Sequence, residues 1–293
     1  MRSTHRVILA VALVAAASLS ACGDDGSDAG SDPAPTFSSG TTMAELAARG
    51  SVKVGTKFDQ PGFGLKGLDG KPAGFDVEIA KLIAKKLGIA DKKIEFIEAP
   101  SKVREEYLQQ GKVDLVVATY TINDKRKERV GFAGPYYVAG QDLMVKSDET
   151  ALTGPESFKQ HPDRKVCSVT GSTPAETIAG YLASSSQLVL FDVYSKCADA
   201  LRTGQVSAVT TDNSVLLGLV GESDGAFKIL NKPFSKEPYG IGIAKGDTAF
   251  CEFVDSALTE AAASGVYEKA WTSTAGTIDG ARTPQLPEFD PCS

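Results

Sequence analysis

The stretch that decides the fold is Gly74-Phe-Asp-Val-Glu-Ile-Ala-Lys-Leu-Ile-Ala-Lys-Lys-Leu-Gly88. Four apolar residues recur in it at helical spacing and form one stripe, Ile79, Leu82, Ile83 and Leu87. Asp76 is expected to cap the first turn, and Gly88 is expected to end the helix in the left-handed conformation. The stretch therefore predicts a short strand or turn that runs into a capped amphipathic helix.

The order of residue types in this stretch also resembles the signature of the family 3 extracellular solute-binding proteins, the polar amino-acid receptors of ABC importers. The match consists of glycine, aromatic, acid, aliphatic, acid and aliphatic residues at 74–79, followed by Ile83-Ala84 and Leu87. The signature lies at the expected distance after the first predicted strand, 52–56. The resemblance covers about 45–275, and it implies that the helix is scaffold and does not itself contact a ligand.

The size and charge of the chain set limits on what it does. Its 293 residues leave room for two modest domains. Hydrophobic residues make up 42% and charged residues 23%, as in ordinary soluble proteins. A net charge of −6 and the lack of a basic tract in the sequence give no reason to expect nucleic acid as a partner.

The amino terminus has the pattern of an export signal. Basic residues precede an apolar segment, 7–19, which has the length of a signal-peptide core and is short for a membrane span. It ends in Leu19-Ser20-Ala21-Cys22, which resembles the lipobox of bacterial lipoproteins. The resemblance implies a signal peptide 1–21 and a diacylglycerol on Cys22, which would anchor the protein at the extracytoplasmic face of the cell membrane. The alternative is a plain secretory signal with a chance cysteine.

The rest of the chain is predicted to be one linker followed by two α/β lobes. Residues 22–41 are rich in Gly, Ser, Asp and Pro and are predicted to be a flexible linker. A capping box at Thr42–Glu45 is expected to open the first helix. Strands and helices then alternate, and the alternation restarts near 165–169, which predicts an α/β protein with two lobes.

The family resemblance gives this fold class a more specific form. It implies the two-lobed periplasmic-binding-protein fold of type II, with two hinge crossovers and the ligand in the interlobe cleft. Lobe 1 would comprise 42–141 plus 242–293, and lobe 2 would comprise 142–241. The hinge segments would be 141–145 and 240–244.

The cysteines fit an exported protein. Apart from Cys22, the sequence has Cys167, Cys197, Cys251 and Cys292, and four cysteines allow three pairings. Cys167–Cys197 and Cys251–Cys292 are favoured, because each pair would then lie within one predicted lobe. Metal binding is the rival use, but the sequence lacks a Cys-x-x-Cys pair, so no metal and no cofactor is expected.

Arg126 is the candidate for binding an α-carboxylate, because the planar guanidinium donates two parallel hydrogen bonds. It lies seven residues beyond Thr119, just past the predicted buried strand 113–119. The family resemblance implies that Thr119 and Thr121 line the site with hydroxyl and backbone groups. The alternative is that Arg126 belongs to a solvated basic face with its neighbours, Lys125, Lys127 and Arg129.

The second predicted lobe supplies two further candidates. Gly171, Ser172 and Thr173 follow a predicted strand, and Thr173 is expected to cap a helix whose free N–H groups bind a carboxylate. Asp212 follows the predicted strand 206–210 and resembles the family acid that accepts from the ligand ammonium. Taken without the resemblance, these residues are an ordinary helix start and a turn former.

Two more cations indicate which side chain the ligand carries. Lys57 and Arg104 occupy positions that contact the ligand side chain in family members, and both favour an acidic one, glutamate or aspartate. An amide such as glutamine or asparagine would leave a partly desolvated cation without its counter-ion. Three aromatic residues are candidate walls of the site, Phe58, Phe63 and Tyr120.

The sequence therefore predicts a monomeric binding protein that delivers an acidic amino acid to an ABC permease. The same lobes could instead dock on a membrane sensor protein, and the sequence does not separate these two partners. An enzyme resembling cyclohexadienyl dehydratase is the third interpretation. It would need an acid in the cleft, Asp212 or Asp59, that the cations do not neutralise.

Overall fold

The computed structural model describes residues 35–292. The predicted signal peptide 1–21, the lipidation site Cys22 and residues 22–34 of the predicted linker lie outside this range. Within it, no helix is both long enough and apolar enough to cross a membrane.

The strands follow one another along the chain in this order: β1 (Val52–Thr56), β2 (Asp59–Gln60), β3 (Gly64–Lys66), β4 (Pro72–Ala73), β5 (Ile94–Glu98), β6 (Leu115–Thr121), β7 (Gly131–Ala139), β8 (Gln141–Lys146), β9 (Val166–Val169), β10 (Leu188–Phe191), β11 (Ala208–Asp212), β12 (Phe227–Ile229) and β13 (Glu237–Ile243). The α-helices are α1 (Thr42–Arg49), α2 (Phe75–Lys86), α3 (Arg104–Gln109), α4 (Asp124–Lys127), α5 (Ser157–Gln160), α6 (Thr173–Ala179), α7 (Tyr194–Arg202), α8 (Asn213–Gly221), α9 (Thr248–Ala263) and α10 (Val266–Thr272).

Ten of these strands form two separate five-stranded sheets, one in each lobe, and β2, β3 and β4 form a small three-stranded sheet. The first sheet has the order β5-β1-β6-β13-β7 and the second has the order β10-β9-β11-β8-β12. In both sheets the first three strands are parallel to one another, and the fourth strand is antiparallel to both of its neighbours. Helices cover both sheets, as parallel strands require. The predicted α/β fold with two lobes is confirmed.

The crossovers between the lobes lie earlier in the chain than the predicted hinges 141–145 and 240–244. The first crossover is at Gly140, because β8 joins the second sheet from Gln141 onward. The second lies between β12 and β13, because β13 pairs with β6 and β7 of the first sheet from Glu237 onward. The backbone N–H of Phe234 donates to the carbonyl of Gln141 at 2.9 Å, so the two crossover segments lie side by side.

The helix that carries the family signature is α2, and its start differs from the prediction. Gly74 is the N-cap, and Asp76 lies inside the first turn with its side chain fully buried. Gly74 has φ of 136°, and a β-carbon there would lie 2.2 Å from the carbonyl oxygen of Phe63, so only glycine fits. Gly88 takes the predicted left-handed conformation after the helix, with φ of 77°.

The beginning of the described chain also differs from the prediction. Thr41, not Thr42, caps α1, since its hydroxyl accepts from the N–H of Ala44. Phe37, within the predicted linker 22–41, packs edge-to-face on Phe253 of α9 at 5.6 Å between ring centroids. The contacts of the chain with lobe 1 therefore begin before residue 42.

Each lobe has its own hydrophobic core and its own disulfide bond. Cys167 pairs with Cys197 in the second lobe, and Cys251 pairs with Cys292 in the first, which confirms the favoured pairing. The second bond ties the C-terminal segment to α9. Since both sulfurs of each pair are used, the cysteines of these bonds do not serve as metal ligands.

Candidate functional site

The carboxyl ends of the strands in the two sheets face each other across a small cavity. The lining residues come from both lobes: Gln60, Ser101, Arg104, Thr119, Thr121, Arg126, Ser172, Thr173, Pro174, Tyr194, Thr211 and Asp212. The cavity measures about 10 Å³, which is room for about one water molecule. An amino acid can therefore enter only when the lobes separate.

The cavity and its surroundings hold an unusual concentration of buried charge. Lys57, Arg104 and Arg126 are exposed by only 4%, 2% and 6%, and Asp212 by 4%. A larger cavity of about 360 Å³ lies elsewhere, beside Trp271 and Tyr137. We assign the site to the smaller cavity, because buried charged groups need partners and a charged ligand supplies them.

Thr119 occupies the point where β6 reaches the cavity. Its φ of 45° is uncommon for a residue with a side chain. Its N–H donates to Oδ2 of Asp76 at 2.8 Å, and its hydroxyl donates to Oε1 of Gln60 at 2.9 Å. The other oxygen of Asp76 accepts from the hydroxyl of Tyr136 at 2.6 Å. Asp76 is therefore scaffold, as predicted for its helix, and it holds the end of β6 in place.

Arg126 lies on α4, where Asn123 caps the helix by accepting from the Arg126 N–H. The alternative of a solvated basic face is wrong for Arg126, which is buried, although Lys125 and Arg129 are exposed. Its Nη1 donates to the carbonyl of Thr121 at 2.6 Å, and its Nη2 donates to that of Gly171 at 3.2 Å. Its Nε lies 3.3 Å from Oε1 of Glu105.

These contacts determine what Arg126 can still bind. A guanidinium has five N–H groups, so three contacts leave two N–H groups for a ligand. The carbonyl of Gly171 belongs to the opposite lobe, so separation of the lobes frees a third N–H group. Arg126 can therefore receive a carboxylate in the open cleft, while Glu105 and Thr121 hold its orientation.

Arg104 begins α3 and lies against Tyr120. Its Nη1 donates to the carbonyl of Ala118 at 2.9 Å, and its guanidinium carbon is 4.1 Å from the centre of the Tyr120 ring. The guanidinium of Arg126 also lies over this ring, at 5.0 Å. Burial and the positive charge of the neighbouring Arg126 together lower the pKa of Arg104 to about 10. The tyrosine ring thus supports two cations through cation–π contacts.

The predicted role of Tyr120 as a wall of the site needs correction. Tyr120 is fully buried in a core cluster with Phe132, because neighbouring residues of a strand point to opposite faces. Thr119 and Thr121 face the cavity, so Tyr120 faces away from it. Phe63 is likewise a core residue, in edge-to-face contact with Phe75. Phe58 lies outside the cavity lining, with Lys66 over its ring at 5.0 Å.

Lys57 lies directly behind the cavity lining. Its Nζ donates to the hydroxyl of Ser101 at 2.8 Å, and Ser101 lines the cavity. Burial and the positive charge of Arg104 together lower the pKa of Lys57 to about 7. In residues 35–292, neither Lys57 nor Arg104 has a carboxylate within salt-bridge distance.

In the second lobe, the predicted cap of α6 shifts by one residue. Ser172 is the N-cap and accepts from the N–H of Ala175 at 3.2 Å, so Thr173 is the first helical residue. The hydroxyl of Thr173 donates instead to Oε2 of Glu237 at 2.8 Å, a contact between the lobes. Gly171 contributes its carbonyl to Arg126 and borders an outer cavity next to the site.

Asp212 ends β11 and faces the cavity, as predicted. Its Oδ2 accepts from the hydroxyl of Tyr239 at 2.7 Å. Its Oδ1 is buried and has no hydrogen-bond partner among residues 35–292. Burial and the negative charge of Glu237 together raise the pKa of Asp212 to about 7. A buried acceptor of this kind suits a ligand that brings a cationic donor.

Five lining residues were absent from the sequence prediction, namely Gln60, Ser101, Pro174, Tyr194 and Thr211. Ser101 follows the carboxyl end of β5, and Thr211 immediately precedes Asp212 in β11. The rule that ligands bind at the carboxyl ends of parallel strands could have found both. Gln60 and Tyr194 carry no such signal, since each depends on how the lobes meet.

Known proteins with similar sequences settle the family. Residues 52–273 match the model of the bacterial extracellular solute-binding proteins, family 3. The chain belongs to this family. The glutamate-binding protein GluB of Corynebacterium glutamicum is 36% identical over 280 residues, which is 92% of this chain and 89% of that protein. The glutamine-binding protein GlnH of an ABC transporter in Bacillus subtilis is 36% identical over 262 residues, 89% of this chain and 93% of that protein.

Solved structures of amino-acid-binding proteins agree on the fold. An ancestral arginine-binding protein bound to glutamine is 37% identical, with a TM-score of 0.71, and the match covers 77% of this chain and 98% of that one. An ancestral amino acid-binding protein described as a precursor of cyclohexadienyl dehydratase is 30% identical, with a TM-score of 0.72, covering 80% and 99%. The type II fold with two lobes is therefore that of a family 3 solute-binding protein.

Proposed function

We propose that this protein captures an acidic amino acid, glutamate or aspartate, between its lobes and delivers it to an ABC permease. It is a binding protein without catalytic chemistry. The observation that carries the proposal is the pair of buried cations, Lys57 and Arg104, that have no carboxylate partner in residues 35–292. Arg126 serves the α-carboxylate, Asp212 serves the ammonium, and Lys57 and Arg104 serve the side chain of the ligand.

The energies of these contacts suit a transport receptor. Each hydrogen bond to a charged group contributes about 1.5–3 kcal/mol. Four or five of them, less the cost of immobilising a small ligand, reach the roughly 8 kcal/mol of a micromolar complex. Buried cations with no ligand carboxylate beside them cost free energy, which favours a ligand with a side-chain carboxylate over one with an amide.

The relatives are named for different amino acids, so the charges of the site have to distinguish among acidic, amide and basic ligands. GluB is named for glutamate, GlnH for glutamine, and the ancestral protein for arginine. A basic ligand would bring a third positive charge next to Lys57 and Arg104, which is unfavourable at this burial. Glutamine and asparagine fit the same contacts with a weaker partner for Lys57, so they rank below the acids.

The contacts of the two candidate acids, Asp212 and Asp59, argue against the enzyme interpretation. A dehydratase needs an acid that can give up a proton to its substrate. Asp212 accepts from Tyr239, and Asp59 accepts from the backbone of Tyr194 at 2.6 Å. Both carboxylates therefore already have roles in binding or in contacts between the lobes.

We further propose that the protein is held at the extracytoplasmic face of the cell membrane through a lipid on Cys22. The support is the apolar segment 7–19 and the Leu19-Ser20-Ala21-Cys22 sequence that ends it. Feeding cells a clickable fatty acid tests this: the parent protein should be labelled and sediment with membranes. Equal labelling of a Cys22→Ser variant would contradict the proposal that the lipid is attached to Cys22.

Calorimetry on the purified protein tests the binding function. Carried-over ligand is first removed by partial unfolding and dialysis, and refolding is checked by circular dichroism. Prephenate is included as a control substrate for the enzyme interpretation. Heat from glutamate or aspartate with no turnover of prephenate supports the proposal, whereas turnover without amino-acid binding contradicts it.

A further inference from the structure

Helix α8 of the second lobe lies against the first lobe at Gly218. A β-carbon at this position would be 2.5 Å from the carbonyl oxygen of Pro61 and 3.1 Å from its β-carbon. The first distance is shorter than side chains tolerate, and a backbone carbonyl cannot rotate out of the way. Gly218 has an ordinary helical backbone, so alanine would suit α8 itself. Glycine at this position serves the contact between the lobes and not the helix.

A second contact joins the same part of the first lobe to α7. The N-cap residue of α7, Val193, provides no side-chain hydrogen bond to the helix. Oδ2 of Asp59, on β2 of the opposite lobe, instead accepts from the Tyr194 N–H at 2.6 Å. A carboxylate is favourable at a helix N-terminus. Asp59 therefore caps α7 from across the cleft.

Both contacts exist only while the lobes are together. Asp59 and Pro61 lie two residues apart on lobe 1. Asp59 contacts the start of α7 on lobe 2, and Pro61 contacts a face of α8 on the same lobe. Neither contact belongs to the core of one lobe. Interactions present only in the closed state slow ligand release and leave the rate of entry into the open cleft unchanged.

We propose that residues 59–61 form a closure clamp, which grips α7 through Asp59 and α8 at Gly218 and thereby sets the lifetime of the closed, liganded protein. The inference rests on the proposed function, because closure is measured here through the binding of an amino acid. Asp59 and Gly218 are positioning residues: neither is assigned a contact with the ligand.

The test compares Gly218→Ala with Gly221→Ala in the same helix, using stopped-flow fluorescence with glutamate and aspartate. A β-carbon at Gly221 would lie 3.4 Å from Cγ2 of Ile278, an ordinary contact, so this variant is the matched control. For Gly218→Ala we expect a dissociation rate raised by about tenfold or more and an unchanged association rate. The melting temperature of its ligand-free form should not fall, because alanine is the better helix former.

Asp59 gives an independent arm of the test. Asp59→Ala should raise the dissociation rate roughly threefold to tenfold, and Asp59→Asn, which keeps an acceptor oxygen, should recover part of the loss. Parental dissociation rates in both Gly218→Ala and Asp59→Ala would overturn the clamp and leave the binding function intact. A parent protein that binds no amino acid would overturn the proposed function, and the clamp with it.

Discussion

Asp212 of the second lobe accepts a hydrogen bond from the hydroxyl of Tyr239 of the first lobe, at 2.7 Å. This bond uses Oδ2, and Oδ1 stays buried without a partner in the part of the chain that the structure describes. Burial raises the pKa of Asp212 to about 7. The carboxylate is thus oriented by a hydrogen bond from the other lobe, and its second oxygen is available to the ligand ammonium.

Replacing Asp212 by Asn should weaken glutamate binding by roughly tenfold to a hundredfold, which corresponds to about 1.5–3 kcal/mol for a charged hydrogen bond. The amide keeps the size of the side chain but loses the negative charge. Isothermal calorimetry measures the change. Asp199→Asn, an exposed acid on α7, is the control and should bind as the parent does. Equal affinities of the two variants would contradict the assignment of the ammonium contact.

Arg126→Ala should abolish measurable binding of every amino acid, because the α-carboxylate is common to all of them. The exposed neighbour Arg129→Ala is the matched control and should keep parental affinity. Removal of Arg126 also leaves the buried Glu105 without its partner, so the variant should lose about 3–5 kcal/mol of stability. Thermal unfolding verifies that Arg126→Ala is folded at the assay temperature. Binding that survives in the folded variant would disprove the site.

Lys57→Gln should change selectivity more than overall binding. The substitution removes the cation next to the ligand side chain, so the affinity for glutamate should fall about tenfold or more relative to that for glutamine. Competition between the two amino acids in one titration gives this ratio directly. Lys66→Gln, an exposed lysine on β3, is the control. An unchanged ratio in Lys57→Gln would show that Lys57 does not read the side chain.

The affinity for glutamate should be highest near pH 7. A ligand ammonium lowers the pKa of Asp212 from about 7, so binding in more acidic solution releases a proton and strengthens as pH rises. A ligand carboxylate raises the pKa of Lys57 from about 7, so binding in more alkaline solution takes up a proton and weakens as pH rises. Calorimetry in buffers of different ionisation enthalpy counts these protons at about pH 6 and about pH 8. Proton transfer of the same sign at both values would contradict this account.

Variants separate the two arms of this profile. Asp212→Asn should remove the acidic arm, and Lys57→Gln should remove the alkaline arm. Asp76 also has a pKa raised by burial to about 7. Its oxygens are bonded to Thr119 and Tyr136, so its titration should be the same in the free and the liganded protein.

Local sequence patterns predict the fold well at positions where a single physical requirement, such as burial or a left-handed backbone, determines the residue type. The apolar stripe of α2 and the left-handed Gly88 are examples, and both are found in the structure. Asp76 shows the limit of such patterns. An acid in the first turn of a helix suggests capping. The carboxylate of Asp76 instead accepts from the buried backbone N–H of Thr119 in β6. Tertiary contacts therefore decided between two uses of the same residue.

The candidate site likewise has residues that the order of elements predicts and features that only the assembled fold reveals. Thr119 and Asp212 lie at the carboxyl ends of strands and Arg126 follows one, so the order of elements along the chain was enough to bring them together. The position of the crossovers depends on where β13 begins to pair, which only the assembled sheet reveals. Asp59 and Gly218 act between the lobes, and their partners lie more than a hundred residues away in the sequence.

The most direct test of the account is a calorimetric titration of the stripped protein with glutamate, aspartate, glutamine, asparagine and arginine under one set of conditions. The account predicts dissociation constants of about a micromolar for at least one of the two acids, with weaker binding of the amides and none of arginine. Tightest binding of arginine, or no binding of either acid, would contradict it.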